Sequence, residues 1–159
     1  MPDHPLPAVS DPEEARAAFL HHQAAALEGL VWEEDGPLAI VLHLEGLRPN
    51  GEVEPYLARF SFLYYPAWPP SVTFVHPQTR VYDPAYWPKA SSPTLAFHAE
   101  YGGAPAGMVC NSMFFEYYFW GGHTPDATVR WDPKRHTFAA SVNELRIHLR
   151  PPYYEGRSR

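Results

Sequence analysis

The residue best suited to covalent chemistry in this chain is its single cysteine. Cys110 stands in the run Gly107-Met108-Val109-Cys110-Asn111-Ser112. A thiol can carry an acyl group as a thioester, and an amide side chain or backbone N–H groups beside it can stabilise the oxyanion formed on attack. Asn111 and Ser112 are polar donors, and Gly107 leaves the backbone open just upstream. The competing reading is a small buried hydrophobe, because free cysteine is among the most buried residue types. One cysteine cannot close an internal disulfide or build a multi-cysteine zinc site, and it suits a reducing, cytoplasmic setting.

The chain also has nine histidines. His76, His98 and His123 fall in loops near Cys110 in the sequence, and loops carry function more often than cores do. His21 and His22 are adjacent and must point to different faces of a helix. His43 lies on the strand face opposite Leu42 and Leu44, and His148 sits near a helix C-terminus, so all four read as structural. No pair has zinc spacing such as His-x3-His or Cys-x2-Cys. A glycine-rich phosphate loop, a Gly-x-Ser-x-Gly elbow and a His-Glu-x-x-His motif are all missing from the sequence. A thiol hydrolase would need a histidine within hydrogen-bond reach of Cys110 and an acid or amide behind it. His136 with Asn143 is one formal pairing, without local sequence support.

The elements that must position these residues read as an α+β chain. Residues 1–10 form a loose, proline-broken arm. Asp11 can cap a helix, Pro12 suits its first turn, and Glu13 and Glu14 complement its positive end. Alanines, Phe19, Leu20 and Leu27 fill that helix, and Gly29 can end it. From Pro37 to Leu44, Leu38, Ile40, Leu42 and Leu44 recur with the period of a strand. Asn50-Gly51 signals a turn. Tyr56 to Tyr64 alternates again, with Tyr56, Phe60, Phe62 and Tyr64 on one side, and Pro66 stops it. Ser71 to Val75 is a third short strand. Regular structure fades from His76 to Met108, a proline- and glycine-broken loop of over thirty residues, and such loops are often functional. The aromatic run Met113 to Trp120 reads as core rather than binding surface. Thr137 to Arg150 reads as a helix burying Phe138, Val142, Leu145 and Leu149, stopped by Pro151-Pro152.

At 159 residues the chain fits a single domain over 1–159. Apolar residues make up 45% and charged residues 19%, which excludes a disordered chain, and 19 prolines exclude a helical bundle. The formal net charge is −6 and there is no basic run, which argues against nucleic-acid binding. Nothing approaches the roughly 18 consecutive apolar residues of a membrane span. Residues 1–7 lack the charged and apolar regions of a signal peptide.

The run from Phe60 to Phe74, with Tyr64-Tyr65-Pro66 followed by Pro69-Pro70-Ser71-Val72-Thr73-Phe74, resembles the ubiquitin-conjugating enzymes. Their pattern there is a strand, a Tyr-Pro, a short gap and a Pro-Pro-x-Val-x-Phe. Gly107-Met108-Val109-Cys110 is similar to the segment around that family's catalytic cysteine. Trp131-Asp132-Pro133, the helix after it and Pro151 resemble the family's segments downstream of that cysteine. The pieces stand in family order over about residues 11–152.

The resemblance implies an antiparallel meander with an N-terminal helix and a helix after the active-site loop, in a divergent prokaryotic-type member. It implies that Cys110 receives a ubiquitin-like protein as a thioester from an activating enzyme and passes it to a nucleophile on a target protein. No metal or organic cofactor is implied, since the activating enzyme consumes the ATP. The family's His-Pro-Asn motif before the cysteine is missing, and an insertion of about twenty residues follows Val81-Tyr82-Asp83-Pro84. Asn111 or His98 is then the candidate to replace the motif's asparagine. Loss of that motif also favours the alternative, a non-catalytic binding module of the same fold that recognises a ubiquitin-like protein.

Overall fold

The computed structural model describes residues 4–158. The start of the expected arm, residues 1–3, lies outside the described residues. Residues 4–10 hold neither helix nor strand, and the Ser10 N–H ties the arm to the Leu63 carbonyl at 3.0 Å.

Helix α1 (Pro12–Leu27) begins where the sequence indicates. The Asp11 carboxylate accepts from the N–H groups of Glu13 and Glu14, satisfying donors that the helix itself leaves unpaired. Ala15, Phe19, Ala26 and Leu27 face the core, whereas Leu20 points outward. Strands β1 (Trp32–Glu34), β2 (Ala39–Leu47), β3 (Val53–Ser61) and β4 (Ser71–Phe74) pair antiparallel in that order. The β2–β3 hairpin turns at Arg48–Glu52, where Gly51 has a φ of +90°, a value that glycine adopts without strain. Ile40, Leu42, Leu44, Tyr56, Ala58 and Phe60 line the inner face of this hairpin.

Two expectations are corrected, and one strand is added. The short strand β1 lies outside the sequence reading, because with only three residues it offers no period to count. The second long strand ends at Ser61, not Tyr64, because the chain turns over residues 63–67. The segment 76–108 is not one irregular loop. After a single 3-10 turn at Pro84–Tyr86 it contributes β5 (Pro88–Ala90) and β6 (Ala96–His98). Strand β6 pairs with β7 (Met108–Cys110), and β5 pairs with β8 (Tyr154–Arg157). Between these ladders Trp87 is fully buried against Phe74.

The aromatic run forms the short helix α2 (Phe115–Phe119), and Phe115, Tyr118 and Phe119 are buried as the sequence indicates. Helix α3 (Phe138–His148) is capped by Thr137 and buries Phe138, Val142 and Leu145, with Leu149 just beyond it. The rings of Phe19, Phe62 and Phe138 meet where α1, α3 and the end of the sheet converge. The Tyr65 hydroxyl accepts from the Phe138 N–H at 3.1 Å and lies 2.8 Å from His22 Nδ1, so one buried phenol joins both helices. Burial pushes that phenol up to about 12.

Candidate active site

Cys110 is the last residue of β7, and its backbone is held opposite Ala96 by the β6–β7 ladder. That ladder depends on Gly107, whose φ is +73°. The Trp87 ring rests on its Cα, and a Cβ there would lie 2.9 Å from the His98 carbonyl oxygen. The glycine upstream of the cysteine thus serves close packing, in addition to leaving the backbone open.

The thiol is half-buried, and burial pushes it above the ordinary cysteine range. Its sulfur lies 3.4 Å from the Nε2 of His123, a distance suited to proton transfer between thiol and imidazole. Three features hold that imidazole. Its ring stacks on Tyr117, with centroids 4.3 Å apart and planes at 15°. The His123 backbone N–H donates to the Tyr117 carbonyl at 3.3 Å. Gly121 leaves the space that the ring occupies, since a Cβ at 121 would meet His123 Cδ2 and the Tyr117 carbonyl oxygen, each at 2.8 Å. Among the described residues no carboxylate or amide is hydrogen-bonded to the His123 ring, so its orientation rests on stacking and packing.

Both residues open on a groove of about 820 Å³ between the segment 92–96, the segment 110–113, the loop after α2 and helix α3. Pro93, Leu95, Val129 and Ile147 give it apolar walls. His136 and Asn143, the pairing weighed from sequence, also line it. His136 is turned to its own loop, with Nδ1 accepting from the Asp132 N–H at 3.0 Å and its ring stacked on Trp131.

Asn111 and His98 are not hydrogen-bonded to Cys110. The Asn111 amide donates to the Thr94 carbonyl at 2.9 Å and to Glu144 Oε2 at 3.4 Å, while its Oδ1 accepts from the Met113 N–H at 2.9 Å. Every polar atom of this side chain is engaged in fixing the chain around the cysteine. His98 packs its ring on Tyr101 at 5.2 Å, lies off the groove, and has its basicity lowered by burial. His76 accepts from the N–H groups of Gln78 and Thr79 and caps its own turn. Sequence reasoning placed His123 with His76 and His98 among the loop histidines near the cysteine, but advanced only His98, beside Asn111, as a site residue. The signal that separates His123 is Gly121-Gly122 just ahead of it and Tyr117 six residues before.

Among the described residues no group of three or more histidine, cysteine, aspartate or glutamate side chains is arranged to hold a metal ion. Among the described residues no helix is long and apolar enough to cross a membrane. Comparison with protein-family models, with curated proteins and with solved structures gives no match.

Proposed function

We propose that the protein is a thioester-forming carrier of the ubiquitin-conjugating type. Cys110 would take the C-terminal acyl group of a ubiquitin-like protein from an activating enzyme and transfer it to a nucleophile. The observation that carries the reading is the half-buried thiol 3.4 Å from an imidazole at the edge of an open groove. An N-terminal helix, a four-stranded antiparallel meander and a cysteine followed by a helix agree with the order that the sequence resemblance implies. In the loading step the thiol proton passes to His123 Nε2 as sulfur attacks the activated carboxyl, and the activating enzyme's thiol leaves with a proton. In discharge the same imidazole can accept a proton from the incoming nucleophile.

The test is incubation with ATP, bacterial activating enzymes and their ubiquitin-like proteins, with electrophoresis in the presence and absence of reductant. Wild type gives an adduct cleaved by thiol. Cys110→Ser gives one that resists thiol, because an oxygen ester exchanges far less readily, and Cys110→Ala gives none. An adduct that persists in Cys110→Ala refutes the reading. Binding without any adduct favours the recognition module.

His123 itself favours a second reading, a thiol hydrolase working through a Cys–His pair. The two differ in the lifetime of the acyl group. A carrier holds its thioester until an acceptor arrives, whereas a hydrolase turns over p-nitrophenyl acetate continuously after the first burst.

A further inference from the structure

A second cluster of polar side chains stands at the wall of the same groove, behind it at His148, and is left unused by Cys110. His148 is 2% exposed, and its Nδ1 lies 2.8 Å from the backbone carbonyl of Glu144, with the Glu144 carboxylate 3.6 Å away. A carbonyl oxygen can only accept, so Nδ1 carries the hydrogen and Nε2 presents its lone pair. That lone pair faces Ser92, whose Oγ lies 3.0 Å from Nε2. Thr94 completes the surroundings: its N–H donates to Ser92 Oγ at 3.1 Å, and its own hydroxyl lies 3.1 Å from Ser92 Oγ and 3.4 Å from Nε2. The ring of Tyr153 packs beside the imidazole at 4.9 Å. Asn111 braces the acid from the other side through its contact with Glu144 Oε2. Ser92, Thr94 and Glu144 all reach the groove wall. A serine hydroxyl on the free nitrogen of an imidazole, whose other nitrogen is fixed by the Glu144 backbone carbonyl with the carboxylate close by, is a Ser–His pair of the kind that makes a serine nucleophilic.

We propose that Ser92, His148 and Glu144 form a second nucleophilic centre that cleaves small uncharged esters or thioesters bound in this groove. The substrate class follows from the lining, which has apolar walls at Pro93, Leu95, Val129 and Ile147 and no lysine or arginine. In the step, Ser92 Oγ attacks the acyl carbon while its proton moves to His148 Nε2. The bond to the leaving oxygen or sulfur breaks, and that atom takes the proton from Nε2. Water then attacks the acyl-serine, gives its proton to Nε2, and releases the acid as Ser92 recovers its own.

The probe is a fluorophosphonate, on which the serine oxygen bonds to phosphorus, fluoride leaves and the proton goes to His148. The experiment uses the Cys110→Ala variant, so no thiol competes and a failure here leaves the Cys110 proposal untouched. The expected result is one phosphonyl group per chain, mapped by peptide mass spectrometry to Ser92, and none in Cys110→Ala/Ser92→Ala. His148→Gln should slow the labelling about a hundredfold or more, the scale for losing a general base. Should that variant not fold, the pH profile of labelling decides, because an imidazole base gives a rate that climbs as it loses its proton and then levels. No adduct at millimolar probe, an adduct mapped elsewhere, undiminished labelling in a folded His148→Gln, or a rate that climbs with hydroxide alone overturns the proposal.

Discussion

Gly121→Ala is the sharpest test of how the thiol is activated, because it alters neither reacting residue. The new Cβ would lie 2.8 Å from both His123 Cδ2 and the Tyr117 carbonyl oxygen, where ordinary contact begins at 3.4 Å. About 0.6 Å must therefore be recovered. The ring can swing clear of the new methyl, but the Tyr117 oxygen is backbone, so the Gly121 loop that carries His123 must shift as well. A ring shift of this size with a component away from Cys110 lengthens the present 3.4 Å between Nε2 and sulfur toward the outer limit of a hydrogen bond to sulfur. A positioned base contributes about 10² to 10⁴ in rate, and burial leaves the unaided thiol with little thiolate at neutral pH.

The assay is the burst of p-nitrophenol as p-nitrophenyl acetate acylates Cys110, recorded from pH 5 to 9. Gly121→Ala and His123→Ala should both fall about a hundredfold below wild type near neutrality, recovering only as the raised thiol ionises at higher pH. Overpacking of this kind costs about 1–3 kcal/mol, or a Tm lower by about 2–12 °C, so all variants are compared below their melting range. A folded His123→Ala that reacts within about threefold of wild type across the whole range would show that the imidazole is a bystander, and the same result for Gly121→Ala would show that the methyl leaves the ring in place.

The packing supports three further expectations. Leu145 is fully buried on α3, and Leu145→Ala should cost about 2–5 kcal/mol in urea unfolding; a loss under about 0.5 kcal/mol would mean that this helix face is wrongly placed. Gly107→Ala should lower Tm and slow acylation of Cys110 together, since the added methyl meets the Trp87 ring and the backbone at its φ of +73°; an unchanged Tm would refute the packing. The Glu116 carboxyl is pushed up to about 8 by burial, with Oε2 sealed and unpaired although the residue as a whole is half-buried. The folded chain thus holds this proton more tightly than the unfolded one, whose carboxyl titrates near about 4.3. Stability from this group is full below that value, declines as pH rises toward about 8 and is flat above it. Glu116→Gln should flatten the Tm-versus-pH curve between these limits, and an unchanged slope would place the carboxyl in solvent.

The elements with a countable period were legible in the sequence. Helix α1 announces itself through Asp11 and Pro12, β2 and β3 through alternation, and α3 through the spacing of Phe138, Val142, Leu145 and Leu149. The β5 and β6 strands were not, because three residues make no pattern and their partners lie far away, Tyr154–Arg157 for β5 and Met108–Cys110 for β6. The site divided in the same way. Cys110 could be singled out by its chemistry, but its partner depends on how the chain folds back after α2, which only Gly121 and the ring of Tyr117 encode. Asn111 drew attention as a neighbour of the thiol, yet being next in sequence turned its side chain toward Thr94 and Glu144.

The pairing of β5 with β8 also bears on when the site is completed. The Ser91 N–H donates to the Tyr153 carbonyl and the Leu47 N–H to the Leu149 carbonyl, while the Tyr154 ring fills the place where Gly46 has no side chain. The stretch leading into β6, and through it the backbone of Cys110, therefore rests on residues made more than forty positions after the cysteine. During synthesis the chain emerges from its N-terminal end, and contacts between distant segments form last. A nascent chain can form α1 and the meander while the thiol still lacks its support. The groove beside Cys110 then gains its full support only when residues 153–157 pair with the β5 stretch.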